Sequence, residues 1–127
     1  KKESGIEQFK IKEEPVGEHG VGDYAEMEIP ETLDDALVAS GKNSYDVKCV
    51  SCHKLTDERL VGPGWKGVTS RRTPGWIMNF ITNVDEMLDK DPESQVMLEQ
   101  CLVRMPNQGV QHDEARALLE FMRKNDK

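Results

Sequence analysis

Cys49-Val50-Ser51-Cys52-His53 is the stretch whose reading decides the fold. Two thiols three positions apart, with an imidazole directly after the second, form the pattern of covalent c-type haem attachment. The thiols of Cys49 and Cys52 can add to two vinyl groups on adjacent edges of one macrocycle, and the short spacing keeps both within reach. His53 then stands close enough to the ring centre to ligate iron through a neutral ring nitrogen. These three residues are the candidate attachment and ligand set, and the cofactor they imply is one haem c. Two other uses of the thiols lack their context. A zinc site needs two further ligands at regular spacing, and Cys101 with His112 makes a poor pair. A thioredoxin-like use needs a βαβ pattern, and no alternating strand pattern occurs.

Upstream of the motif, Leu33, Ala36, Leu37, Gly41, Ser44 and Tyr45 recur at helical spacing. A helix is expected from Leu33 to Lys48, capped by Thr32, with Asp34 and Asp35 in its first turn. It delivers the chain straight into Cys49. Gly41 inside it costs about 1 kcal/mol relative to alanine, so a close crossing by another helix is expected there. Downstream, Val61-Gly62-Pro63-Gly64-Trp65-Lys66-Gly67-Val68 is too punctuated for regular structure. Thr73-Pro74 opens a second helix with Trp76, Ile77, Phe80 and Ile81 on its apolar face. Asn83 to Asp91 reads as an acidic connection. Asp91-Pro92 begins a third helix, with Val96, Met97, Cys101 and Leu98 as its inward residues. Met105-Pro106-Asn107-Gln108-Gly109 is a loop, and a last helix covers about His112 to Lys124 with Ala115, Leu118, Leu119 and Met122 inward. The fold class is all-α, about four helices and long loops.

Residues 1–31 combine Lys/Glu alternation with Gly and Pro breaks at Pro15, Gly17, Gly20, Gly22 and Pro30 and no sustained period. They read as an acidic tail or spacer ahead of a domain at 32–127, with Ile6, Phe9, Ile11, Tyr24, Met27 and Ile29 able to pin parts of it down. A membrane tether upstream of residue 1 would suit such a spacer. No apolar run approaches the roughly 18 residues of a membrane span. Net charge is −7, unevenly spread. Residues 1–35 carry four Lys against eleven acids, whereas residues 41–73 carry seven Lys and Arg against three acids. The segment around the motif is thus basic in an acidic chain, which suits docking by an acidic partner. With an overall excess of acid and no basic stripe, nucleic acid is not an expected partner.

The order of these features resembles class I cytochromes c of the small bacterial monohaem type, over roughly Leu33 to Lys124. Gly41 and Tyr45 on a helix entering Cys49–His53 look like that family's N-terminal helix. Gly62-Pro63 looks like the loop whose proline carbonyl accepts the proximal histidine's ring N–H. Trp76 and Phe80 fit a helix walling the haem, and Met105-Pro106 looks like the distal ligand segment. Leu118 and Phe121 fit the C-terminal helix that crosses the first at its glycine. Gln111, where the family more often has Thr or Ser as a helix cap, departs from the pattern. So do the acidic insert between Asp85 and Glu99 and the extra cysteine, Cys101, which reads as a buried small hydrophobe.

The resemblance implies a class I cytochrome c fold with iron held by His53 and Met105. Among six methionines, Met78, Met97 and Met122 sit on helices, Met27 precedes the domain, Met87 lies in the acidic stretch, and Met105 is in a loop fixed by Pro106. His19 and His112 remain alternative ligands. Arg71, Arg72 and Trp76 are candidates for the haem propionates, since a planar guanidinium pairs well with carboxylates, while Trp65 and Trp76 are expected to pack on the porphyrin. The implied function is a monomeric one-electron carrier. It would exchange electrons with an oxidase, a reductase or a cytochrome complex through an exposed haem edge near Cys49 and Cys52. Covalent attachment implies export, so the bacterial periplasm is the expected compartment, with a membrane anchor possible in a longer form. The alternative is a haem enzyme or gas-binding cytochrome with an open iron site. A dihaem peroxidase would need a second attachment motif, which is absent.

Overall fold

The structure, a computed structural model, describes residues 16–127, so the expectation for Ile6, Phe9 and Ile11 lies outside the described residues. Six helices occur among them: α1 (Asp35–Lys48), α2 (Val68–Arg71), α3 (Pro74–Thr82), α4 (Val84–Lys90), α5 (Pro92–Cys101) and α6 (His112–Asn125). Strand-like pairing among the described residues is limited to an isolated bridge between His53 and Arg59.

The α1–α6 pair is the most extensive helix contact and sets the frame. Gly41 is where the helices cross, as its sequence position suggests. A Cβ there would sit 2.1 Å from the Ala117 carbonyl oxygen and 2.8 Å from Phe121 Cβ, so glycine lets the two backbones touch. Tyr45 follows one turn later and packs its ring 5.4 Å from Phe121 and 5.0 Å from Trp65. On α6, Ala115, Leu118, Leu119 and Met122 are buried as expected, and Phe121 joins them. The start of α1 differs from expectation. Its N-cap is Asp34, whose carboxylate accepts from the Ala36 and Leu37 amides, rather than Thr32. The reason is remote in sequence: the Asp34 amide donates to Glu120 Oε2 on α6 at 2.7 Å. Glu120 is itself buried and held by Arg116 and Arg123. Burial alone would raise its carboxyl pKa, but these donors and the Asp34 amide hold it below the usual value.

The acidic connection expected between the second and third helices is a helix in its own right. In α4, Val84, Met87 and Leu88 stand at i, i+3 and i+4 and are buried, while the acidic residues Asp85 and Asp89 point outward. Seven residues give too short a period for the pattern to be read from sequence. α3 is walled in on nearly every side, with Gly75 to Asn79 and Ile81 buried; Thr73 caps it and Pro74 takes its first position, as expected. Asp91 caps α5 from a buried position, accepting from the Ser94 amide and hydroxyl and from the Trp76 indole N–H at 3.1 Å. The inward face of α5 is Met97, Leu98 and Cys101; Val96, expected inward, is half exposed. The helix ends at Leu102, a non-glycine residue at φ 64.

Residues 19–24 lie as a strap against α3 and α4, and the Glu31 carbonyl farther on accepts from Arg123 of α6. His19 bonds Thr73 Oγ1 through Nδ1 and gives its carbonyl to Asn79, whose side-chain oxygen accepts from the Tyr24 amide. Tyr24, Met27 and Ile29 pack on the core as partly buried residues.

Candidate functional site

The attachment motif is shaped by bonds that span few residues. The amides of Cys49 and Val50 donate to the Tyr45 carbonyl at the end of α1, and those of Cys52 and His53 both donate to the Cys49 carbonyl. One tight turn thus brings the second thiol and the imidazole around beneath the first. The Tyr45 hydroxyl donates to the His53 carbonyl and fixes the exit from that turn. His53 Nδ1 lies 2.8 Å from the Pro63 carbonyl oxygen, the bond that the resemblance implied. That carbonyl can only accept, so the Nδ1–H tautomer is selected and Nε2 is left as the ring nitrogen with a lone pair. Such a bond orients a metal-ligating imidazole and raises its basicity. The approach is close: a Cβ on Gly62 would lie 2.5 Å from His53 Cε1. Burial lowers the His53 pKa, only partly offset by the Pro63 bond, so the ring is neutral, the form that binds a metal. Burial foremost, with Glu114 adding to it, pushes the Cys49 thiol up to about 11.

His53 and Cys52 open onto a cavity that runs along α3 and α5. Its empty space, counted out to the open mouth, is about 1070 Å³. Of the candidate residues read from sequence, Cys52, His53, Pro63, Trp65, Arg71, Arg72, Trp76, Phe80 and Met105 all line it, while Cys49 sits buried one turn behind. The lining is mostly apolar, and it brings together the Cys52 thiol, with Cys49 buried just behind it, a neutral imidazole and a loop thioether. That donor set and that size suit a large, flat, hydrophobic group with an iron at its centre.

The two arginines and Trp76 are not idle donors. The Trp76 indole N–H is taken by buried Asp91, so Trp76 offers the cavity its ring, stacked at 5.2 Å on Phe80, rather than a propionate donor. Arg72 lies over that ring at 4.6 Å and pairs with Glu93. Arg71 donates to the Lys66 and Gly64 carbonyls, tying down the loop that carries Pro63 and Trp65. Both arginines still border the cavity.

Some lining residues were not singled out from sequence: Ile77 and Ile81 on α3, Leu88 on α4, and Ser94, Met97 and Leu98 on α5. For Ile77, Ile81, Met97 and Leu98 the signal was the apolar stripe of the helix, which marks a buried face without saying what it faces; Leu88 and Ser94 carried none. Cys101, expected as a buried hydrophobe, is part exposed and lines the cavity. The alternative ligands lie elsewhere: His19 is on Thr73, and the His112 ring stacks on Tyr24 at 5.6 Å. Of the methionines, Met97, Met105 and Met122 reach the cavity.

The cytochrome c family model matches residues 38–126. The chain belongs to the cytochrome c family. Among solved structures it is similar to cytochrome c from Rhodothermus marinus, at 32% identity and a TM-score of 0.78 over 82% of this chain and 89% of that one. It is also similar to two engineered forms of that protein, each at 31% identity over 82% of this chain. Their TM-scores are 0.77 and 0.74, over 90% and 89% of those chains, and the second is bound to a carbene intermediate. No curated protein matches significantly. As a class I monohaem cytochrome c, the chain carries a covalently attached haem c, with Cys49 and Cys52 as its attachment thiols.

Proposed function

We propose that this cytochrome c is a periplasmic one-electron carrier with His53 and Met105 as axial ligands. The observation that carries the reading is a single cavity bordered by an imidazole already oriented through Pro63 and by a methionine held in a loop. The haem supplies reversible gain and loss of one electron at iron. The chain does the rest. His53 presents Nε2, and Met105 offers a soft sulfur that favours the reduced metal and raises the potential relative to two nitrogen ligands. The apolar walls keep water away, which further tunes the potential. With His53 and Met105 both holding the iron, the haem would supply electron transfer without a site for bond chemistry.

The mouth fits a brief encounter. Val61 and Val103 border the cavity and are 38% and 53% exposed, with Val50 and Leu60 nearby in sequence and also exposed. Lys54, Arg59 and Lys66 add positive charge in the same segment. A small apolar contact with a cationic fringe suits a transient acidic partner, such as an oxidase or reductase, with an interface below about 1,200 Å². The carrier acts as a monomer, and a membrane tether ahead of residue 1 is compatible with it.

A second reading, an open iron site, draws on the engineered relative, whose structure is bound to a carbene intermediate. Adding carbon monoxide to the reduced holoprotein separates the two. An unchanged visible spectrum and a one-electron redox titration support the carrier; a carbon monoxide shift of the Soret band supports the open site.

A further inference from the structure

Arg104 immediately precedes Met105, yet its side chain bonds to a different helix. Its Nη2 lies 3.0 Å from Asp89 Oδ1 and 3.3 Å from the Asp85 carbonyl oxygen, with the Asp85 carboxylate at 3.6 Å. The base it grips is firm: Val84, Met87 and Leu88 sink α4 into the core. The chain from Leu102 to Gly109 is otherwise lightly held. Leu102 closes α5 through its amide, and Asn107 accepts from the Gly109 amide within the loop. Among the described residues, Arg104 is the member of this segment whose side chain bonds to another helix.

We propose that Arg104 is a positioning residue, clamped to Asp85 and Asp89 so that the loop carrying Met105 stays against the cavity. The acidic insert thereby acquires a role: α4 anchors the distal ligand. The inference rests on Met105 being that ligand. Released from α4, the segment swings more often, and Met105 leaves with it. A small ligand that binds only the open form then gains apparent affinity in proportion to the open fraction. The clamp is half exposed, so its strength is that of a well-placed surface ion pair, worth about a fivefold change in that fraction, and it weakens as salt screens it.

The test compares oxidised holoprotein with Arg104→Gln, Arg104→Lys, Asp89→Asn and the Arg104→Gln/Asp89→Asn double variant. Two readouts are used: imidazole affinity, and amide hydrogen exchange of residues 103–108. Arg104→Gln and Asp89→Asn should each raise imidazole affinity about fivefold and speed exchange. The double variant should add little to either single change, and Arg104→Lys should recover part of the loss. In molar salt the wild type should approach Arg104→Gln. Unchanged exchange in Arg104→Gln, or fully additive single effects, overturns the clamp. Faster exchange in Arg104→Gln, together with a Met105→Ala protein that keeps wild-type imidazole affinity, overturns the ligand assignment instead.

Discussion

The attachment half of the site and its distal half are built on different length scales. From Tyr45 to Trp65 the shaping bonds are local: Cys49 to His53 within one turn, His53 to Pro63 across ten residues, and the Gly62 amide to the Cys52 carbonyl. From Val84 to Val110 the decisive contacts are long-range or exposed. Asp91 holds Trp76 from fifteen residues away, Arg104 reaches back to α4, and Arg59 Nη1 donates to the Gln100 carbonyl across 41 residues of sequence. A histidine that must keep one tautomer and one orientation gains from short, buried bonds. The segment carrying Met105, the proposed distal ligand, is held by bonds that salt and mutation can loosen. The attachment half is therefore the rigid half and the distal half the adjustable one.

Substitutions can break or sharpen that contrast. The largest effect is expected at the frame both halves share. Gly41→Ala drives a methyl group into the Ala117 carbonyl and should cost about 3 kcal/mol of stability, read as a lower denaturant midpoint of the holoprotein. Near-wild-type stability would mean that the α1–α6 crossing is looser than described. Next comes Asp91→Ala, which strips α5 of its cap and leaves the Trp76 N–H buried without an acceptor. About 2 kcal/mol should be lost, and Asp91→Asn, which keeps an acceptor, should lose less.

A smaller effect belongs to the ion pair that closes α1 just before Cys49. Glu114 accepts from Lys48 at 2.9 Å, and that bond foremost holds its carboxyl below the ordinary value. A carboxyl lowered on folding stabilises the fold above its unfolded pKa, and this is lost as pH falls through the lower folded value. Glu114→Gln should therefore be less stable than wild type by up to about 1 kcal/mol at neutral pH. The gap should close on acidification below about pH 4.5; a gap that persists in acid would assign the loss to packing. The smallest change is at Leu102, whose φ of 64 and exposed side chain suit glycine. Leu102→Gly should relieve the strained turn yet enlarge the unfolded chain's freedom, for a net gain within a few tenths of a kcal/mol, visible as a slightly raised melting temperature.

How much could be read from sequence follows the same division. Cys49, Cys52, His53 and Pro63 were legible because they lie close in sequence and the motif dictates what they do. Gly41 was legible as a glycine that a helix would not otherwise tolerate. The cap of α1 was not, because Thr32, Asp34 and Asp35 all qualify locally and Glu120, 86 residues beyond Asp34, decides among them. α4 was hidden by its length, and Cys101 and Met97 looked like core because a helical stripe does not distinguish a packed neighbour from a cofactor. The indole of Trp76 is a propionate candidate on sequence alone because nothing in the sequence links it to Asp91.

The central claim, an iron closed on its distal face by Met105, is tested most directly by the reduction potential of Met105→Ala holoprotein, recorded with its far-red sulfur-to-iron band. The account predicts a lower potential, loss of the band and binding of carbon monoxide by the reduced protein. A variant that keeps the wild-type potential and the band would contradict it and move the sulfur ligand to another methionine of the cavity, Met97 or Met122.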